Sequence, residues 1–351
     1  MNWRDGLRHP GVLAAISAAA LFGMGTPLAK LLLSSTSPWL LAGLLYLGSG
    51  LGLTLFRIVA RAPAVRLVRD EVLWFTGAIL AGGIIGPVLL MLGLSGLPAA
   101  DVSLLLNAEG VFTALLAWFA FKENFDRRIA LGMLSIMAGA SVLSWQANTS
   151  LSNLWPSLAV LGACLAWGID NNLTRKVSLT DAAWIASVKG LVAGAVNLGL
   201  AFSLGAKLPV WSSIASAMLV GFLAYGVSLT LFVLALRQLG TARAGAYFSV
   251  APFVGALLAL ALGETITWQL GAAALFMAFG LWLHLTERHS HTHDHQPLEH
   301  DHNHSHDEHH QHLHDPPIPV AGTHRHSHSH SHAPLKHAHP HYPDVHHQHK
   351  H

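Results

Sequence analysis

Charge is what this chain has least of: Asp, Glu, Lys and Arg make up 11% of its 351 residues, against 52% apolar ones. A soluble domain of this length needs charged groups over its whole surface. Here they collect in short connectors and in the last 63 residues. Up to position 286 the remainder is a series of apolar runs, each about 20 residues long and so able to cross a hydrocarbon core of about 30 Å. Cysteine is nearly missing too. Cys164 is the only one, which excludes an intramolecular disulfide, and its place in an apolar run makes it a small packing residue. A net charge of +2 with no basic patch argues against nucleic acid as a partner. No GxxxxGK[ST] loop is present to bind ATP. The only histidine inside the apolar runs is His284, near the end of the last one, so no Ser/His/Asp set can form there, and the chain does not read as an enzyme.

What is present are ten apolar segments, at 11–33, 38–60, 72–94, 100–121, 129–146, 155–175, 182–204, 213–236, 243–262 and 267–286. Lipid leaves backbone groups unsatisfied unless each segment bonds internally, and the segments lack barrel-type alternation, so all ten are expected to be helices. The first has a basic start like a signal peptide but no convincing cleavage site, and is expected to be retained. With ten spans, fourteen Lys and Arg residues fall on one side, among them Arg57, Arg61, Lys122, Arg175 and Arg237, and only Lys207 on the other. Basic residues resist translocation, which predicts both termini in the cytoplasm of an inner (plasma) membrane protein.

The two halves resemble each other at an offset of 141 to 145. "LFGMGTPLAK" (21–30) falls on "AWGIDNNLTR" (166–175), "MLGLSGLPAADVSLL" (91–105) on "VLALRQLGTARAGAY" (233–247), and "FKE" (121–123) on "LGE" (262–264). Five spans is an odd number, so the second half is expected to enter the membrane upside down. The expected units are 1–146 and 147–286, each of five helices, followed by 287–351. The paired FG/WG starts, the "LP" and "LGTA" segments before spans four and nine, and the Glu closing those spans resemble the EamA type of the drug/metabolite transporter superfamily over residues 11–286. That resemblance implies a ten-helix secondary carrier of small organic molecules, often outward, without ATP. No single motif of that family settles the substrate.

Ionisable groups at membrane depth cost about 2.5 to 3.5 kcal/mol each, so those present are candidates for a site. Span four carries Asn107 and Glu109 near the bilayer centre, two residues apart and so on different faces. Asn107 shares a stripe with Ser103, Gly110 and Ala114, and Glu109 a row with Asp101 and Thr113. A carboxyl there is a candidate to exchange protons during transport; the plainer reading is a Glu held by hydrogen bonds between helices. Span six carries Asp170, Asn171 and Asn172, and span seven carries Lys189 on a row with Asn197. Asp170 and Lys189 lie at similar depth, roughly 9 and 10 Å from the same side at about 1.5 Å per residue, so an ion pair is possible. A pair that only locks helix packing is the competing account. Tyr247 is a candidate to line a cavity, with packing as the alternative, while snorkelling to the interface accounts for Lys30 and Arg175. Glycines such as those of "GAILAGGIIGP" are expected to let helices approach closely, and Pro87 and Pro252 to kink theirs.

Residues 289–351 hold 24 of the 26 histidines, spaced by Ser, Asp, Pro, Gln and Thr. With hardly an apolar cluster, this tail is expected to be disordered. Its HxH units offer neutral imidazoles to Zn²⁺, Ni²⁺ or Co²⁺; the ligand candidates are His291, His293, His295, His302, His304, His306, His309, His310, His326, His328 and His330. Metal as the cargo is a different matter, because the spans offer no midplane His, one Cys, and few carboxylates. The expectation is therefore a carrier in a lipid bilayer that moves a small organic solute, with protons as a candidate coupling ion, no required cofactor, and a metal-binding tail. A transition-metal carrier, and a membrane-anchored metal buffer that no longer transports, are the alternatives.

Overall fold

The computed structural model describes residues 10–65, 67, 69–121, 127–144, 151–174, 177, 180–239, 247–285, 290–295, 299–304, 326–331 and 335–340. Residues 1–287 and 288–351 are two separate units. In the first, the helices are α1 Pro10–Leu32, α2 Pro38–Val59, α3 Arg69–Ala78, α4 Gly86–Gly96, α5 Ala99–Leu105, α6 Ala108–Phe121 and α7 Arg127–Ser144. After them come α8 Leu151–Thr174, α9 Ala182–Ser203, α10 Trp211–Gly221, α11 Ser228–Leu239, α12 Ala251–Ala261 and α13 Trp268–Leu285. Two π-helical segments, Ile79–Ile85 and Phe222–Val227, join α3 to α4 and α10 to α11.

Local chemistry sets the ends. Ser37 caps α2 by accepting from the Leu40 amide with Pro38 in the first turn, and Asp181 caps α9 by accepting from the Trp184 amide at 2.9 Å. Six stretches are long and apolar enough to cross a membrane: Pro10–Leu32, Pro38–Val59, Glu71–Gly96, Ala99–Leu116, Ala182–Ser203 and Trp211–Ala235. Ala130–Leu143, Ala251–Ala261 and Trp268–Leu283 are shorter apolar helices. Large apolar side chains such as Leu73, Phe119 and Leu275 stand on the outside of the unit, as a lipid solvent permits and water does not.

The main helix contacts join the two halves of the chain and exchange symmetrically. α2 packs on α9 and α7 on α13, each helix meeting its own counterpart at the repeat offset. α1 packs on α11 and α12 of the second half, while α8, the counterpart of α1, packs on α4 and α6 of the first. Lipid tails are as apolar as leucine, so such contacts rest on close fit more than on burial. At the α2–α9 crossing Gly190 meets Gly50, and a Cβ on Gly190 would stand 2.5 Å from the Gly50 amide nitrogen. A larger residue there forces the helices apart.

Two features differ from expectation. Span four is not continuous: a turn at Leu106–Asn107 separates α5 from α6, with the Asn107 side chain donating to the Leu104 carbonyl at 2.9 Å. The tail, expected to be disordered, contains four six-residue strands: β1 Ser290–His295, β2 Glu299–His304, β3 His326–Ser331 and β4 Leu335–Pro340. β1 pairs antiparallel with β4, and β2 with β3. The physical reason is that alternation of His with small polar residues has the period of a pleated strand, so backbone ladders form without an apolar core.

Candidate functional site

The first π-helical segment sits at the centre of the polar network. A π turn disturbs the regular i to i−4 ladder and frees carbonyls for other partners. The Gly82 carbonyl accepts from the Tyr46 hydroxyl at 2.7 Å and from Trp167 Nε1 at 2.9 Å, and the Gly83 carbonyl accepts from Asn197 Nδ2 at 3.1 Å. Tyr46 comes from α2, Trp167 from α8 and Asn197 from α9, so three helices from both halves converge on one irregular segment. Gly82 is obligatory on steric grounds, because its missing Cβ would overlap the Asp170 carboxylate.

Asp170 and Lys189 form an ion pair between α8 and α9, and both are buried. Thr174 donates to the other carboxylate oxygen of Asp170 at 2.9 Å. One residue along α8, Asn171 Nδ2 donates to Glu109 Oε1 at 2.9 Å and to Thr113 Oγ1 at 3.2 Å. Asn172 Nδ2 bonds the carbonyls of Thr113 at 3.1 Å and Gly168 at 2.8 Å, tying α8 to α6. Glu109 lies in the first turn of α6, just after the break in span four, where the helix dipole favours a carboxylate. A Cβ on the next residue, Gly110, would meet nothing within 4 Å, so there is open space beside the carboxylate.

Of the residues expected from sequence, Glu109, Asp170, Asn171, Asn172, Lys189 and Asn197 thus lie in one network of linked helices. Asn107 is buried apart from it, against Leu104 and Met277. Tyr247 packs on an apolar cluster of Ala14, Ala15 and Ala235. Tyr46, Trp167, Thr113, Thr174 and the freed carbonyls were not foreseen. Aromatic rings extend the network: Phe22 meets Trp167 edge-on at 6.4 Å and Tyr225 at 5.8 Å, and Tyr225 lies 5.5 Å from Tyr46. Tyr225 belongs to the second π-helical segment, which begins 143 residues after the first, within the repeat offset.

The two ends of the helix pack are also tied. At one end the Lys30 ammonium does not snorkel to an interface as the sequence suggests; it donates to the carbonyls of Leu94 at 2.6 Å and Leu97 at 2.7 Å, capping α4. Glu264 accepts from the amides of Ala99 at 2.7 Å and Ala100 at 2.8 Å, capping α5. Gly263 delivers it, adopting φ 103°, a left-handed conformation that a side chain would strain. At the other end Arg57 pairs with Asp181 at 2.8 Å. Partial burial works to raise the Asp181 carboxyl, but the Trp184 amide and the Arg57 guanidinium outweigh it and hold the group below its usual range.

Comparison with known proteins agrees with this architecture. The chain matches the EamA-like transporter family twice, over residues 9–145 and 154–286. An uncharacterized transporter of Methanothermobacter thermautotrophicus is 28% identical over 293 residues, which cover 78% of this chain and 85% of that protein. A solved crystal structure superposes with a TM-score of 0.61 at 18% identity, over 79% of this chain and 98% of its own, a likeness of fold alone.

Proposed function

Since the chain belongs to the EamA-like transporter family and is a multi-pass membrane protein of that two-repeat architecture, we propose that it is a secondary carrier of small organic solutes. It works by alternating access across ten spans, as an exporter in the inner membrane with both termini in the cytoplasm. The observation that carries the reading is the network at the junction of the halves, where Glu109, Asn171, Asp170 and Lys189 meet carbonyls released by a π-helical segment. Broken helices and free backbone groups at depth suit a binding site, because elsewhere lipid would penalise them.

The donor set favours an organic solute over a metal ion as cargo. Amides, hydroxyls, an ion pair already satisfied and a wall of Phe22, Tyr46, Trp167 and Tyr225 offer hydrogen bonds and ring faces. Among the residues whose side chains are described, no three His, Cys, Asp or Glu come together. Glu109 carries the proton exchange, its acceptor role toward Asn171 being the contact that a substrate or a proton replaces. The end ties are the gates. The Lys30 and Glu264 caps close the outer end, the Arg57–Asp181 pair closes the cytoplasmic end, and transport requires them to yield in turn. Deleting residues 289–351 tests the division of labour. Solute transport that survives the deletion supports an organic carrier; loss of metal transport or tolerance alone would point to a metal carrier.

A further inference from the structure

The tail's histidines face one another by register. Backbone pairing sets His300 opposite His330, His302 opposite His328 and His304 opposite His326. In the other ladder His291 stands opposite His339, and His293 opposite His337. Strand residues two apart share a face, so the β2–β3 ribbon carries six histidines on one face. Its other face carries Glu299, Asp301 and Asn303 against serines. Opposite residues of an antiparallel pair have Cβ atoms about 4.5 to 5.5 Å apart, with diagonal neighbours at about 7 to 8 Å. Two successive pairs therefore place four imidazoles around one point at a spacing that suits metal–nitrogen bonds of about 2.0 to 2.1 Å.

Neither face of the ribbon is apolar, and an isolated two-stranded ribbon is marginal in water. An ion bound by both strands supplies the missing stabilisation, because ligation and ordering then share one free energy. We propose that the His300–His304 and His326–His330 ladder is a binding site for a borderline divalent cation, Ni²⁺, Co²⁺ or Zn²⁺, with ligands from both strands, and that the paired histidines of β1 and β4 form a second. Neutral imidazole is the preferred ligand of these ions, and with an ordinary pKa near 6.5 the site empties as pH falls below about 6. This assignment is independent of what the membrane unit carries.

The test is a Co²⁺ titration of the detergent-solubilised full chain, read by visible absorption, which distinguishes tetrahedral from octahedral Co²⁺. Three triple variants are compared: H300A/H302A/H304A, H326A/H328A/H330A, and, outside the ladders, H346A/H347A/H349A. The expected result is that either ladder triple abolishes the same high-affinity tetrahedral site, lowering its affinity at least tenfold, while the third leaves it intact. Equal loss from all three triples, in proportion to the histidines removed, would overturn the proposal, as would an octahedral spectrum throughout. Helical circular dichroism unchanged in every variant confirms that the membrane unit is intact in each comparison.

Discussion

Replacing Asp170 by Asn leaves the Lys189 ammonium buried beside a neutral amide, with both positions less than 10% exposed. Removing one partner of a buried ion pair typically costs about 3 to 5 kcal/mol, because the surviving charge is left uncompensated. The cost of placing one ionisable group at membrane depth, about 2.5 to 3.5 kcal/mol, is of the same size. Lys189→Met strands the Asp170 carboxylate with only the Thr174 hydroxyl, so its cost falls in the same range. The double variant removes both charges and is expected to regain most of the loss, ending within about 1 to 2 kcal/mol of wild type. The assay is unfolding in mixed micelles titrated with SDS, run on all four proteins, with solute transport measured in parallel. If the pair also serves transport, stability returns in the double variant and transport does not. A double variant that transports at the wild-type rate would reduce the pair to a packing device. Costs that simply add would refute the ion pair itself.

Other perturbations probe the rest of the account. Glu109→Gln keeps an acceptor for Asn171 but cannot release a proton, so transport should persist without its dependence on the proton gradient; unchanged dependence in proteoliposomes would remove Glu109 from the coupling. Glu264→Ala removes both caps of α5 and is expected to cost about 1 to 2 kcal/mol in the same unfolding assay. Gly82→Ala forces a Cβ into the Asp170 carboxylate, and should destabilise by about 1 to 3 kcal/mol and abolish transport, whereas Gly110→Ala, with open space around it, should do neither. Asp181 has a depressed pKa, so its contribution to stability is fully present above the ordinary carboxylate value near 3.9 and is lost as pH falls through its lower folded value. With the carboxylate about a third exposed, Asp181→Asn should cost less than about 1 kcal/mol at neutral pH and remove that acid limb.

The spans, the repeat and the central residues were legible because they rest on local or periodic signals. Twenty apolar residues spell a helix in lipid, and the few polar ones stand out against them. Depth arithmetic along antiparallel helices was enough to bring Asp170 opposite Lys189. What lay beyond reach depends on pairings far apart in the chain. Nothing near Lys30 announces that the carbonyls of Leu94 and Leu97 will be its partners, and Glu264 meets Ala99 across 165 positions. The π-helical segments leave only a weak trace, the glycines of "GAILAGGIIGP", which also read as packing residues. The break at Leu106–Asn107 carries no Pro or Gly to mark it. In the tail, composition pointed to disorder while the period-two alternation pointed to strand, and the ladders follow the period.

The central claim is that the network joining the two halves carries a small organic solute. The most direct measurement compares intracellular metabolites and metals, without preselection, in cells expressing the wild type, the Asp170→Asn/Lys189→Met double variant, or no protein. The account predicts a set of organic solutes depleted by the wild type and restored to control levels by the double variant, with metal content unchanged. A shift confined to transition metals, or solute depletion that the double variant retains, would contradict it.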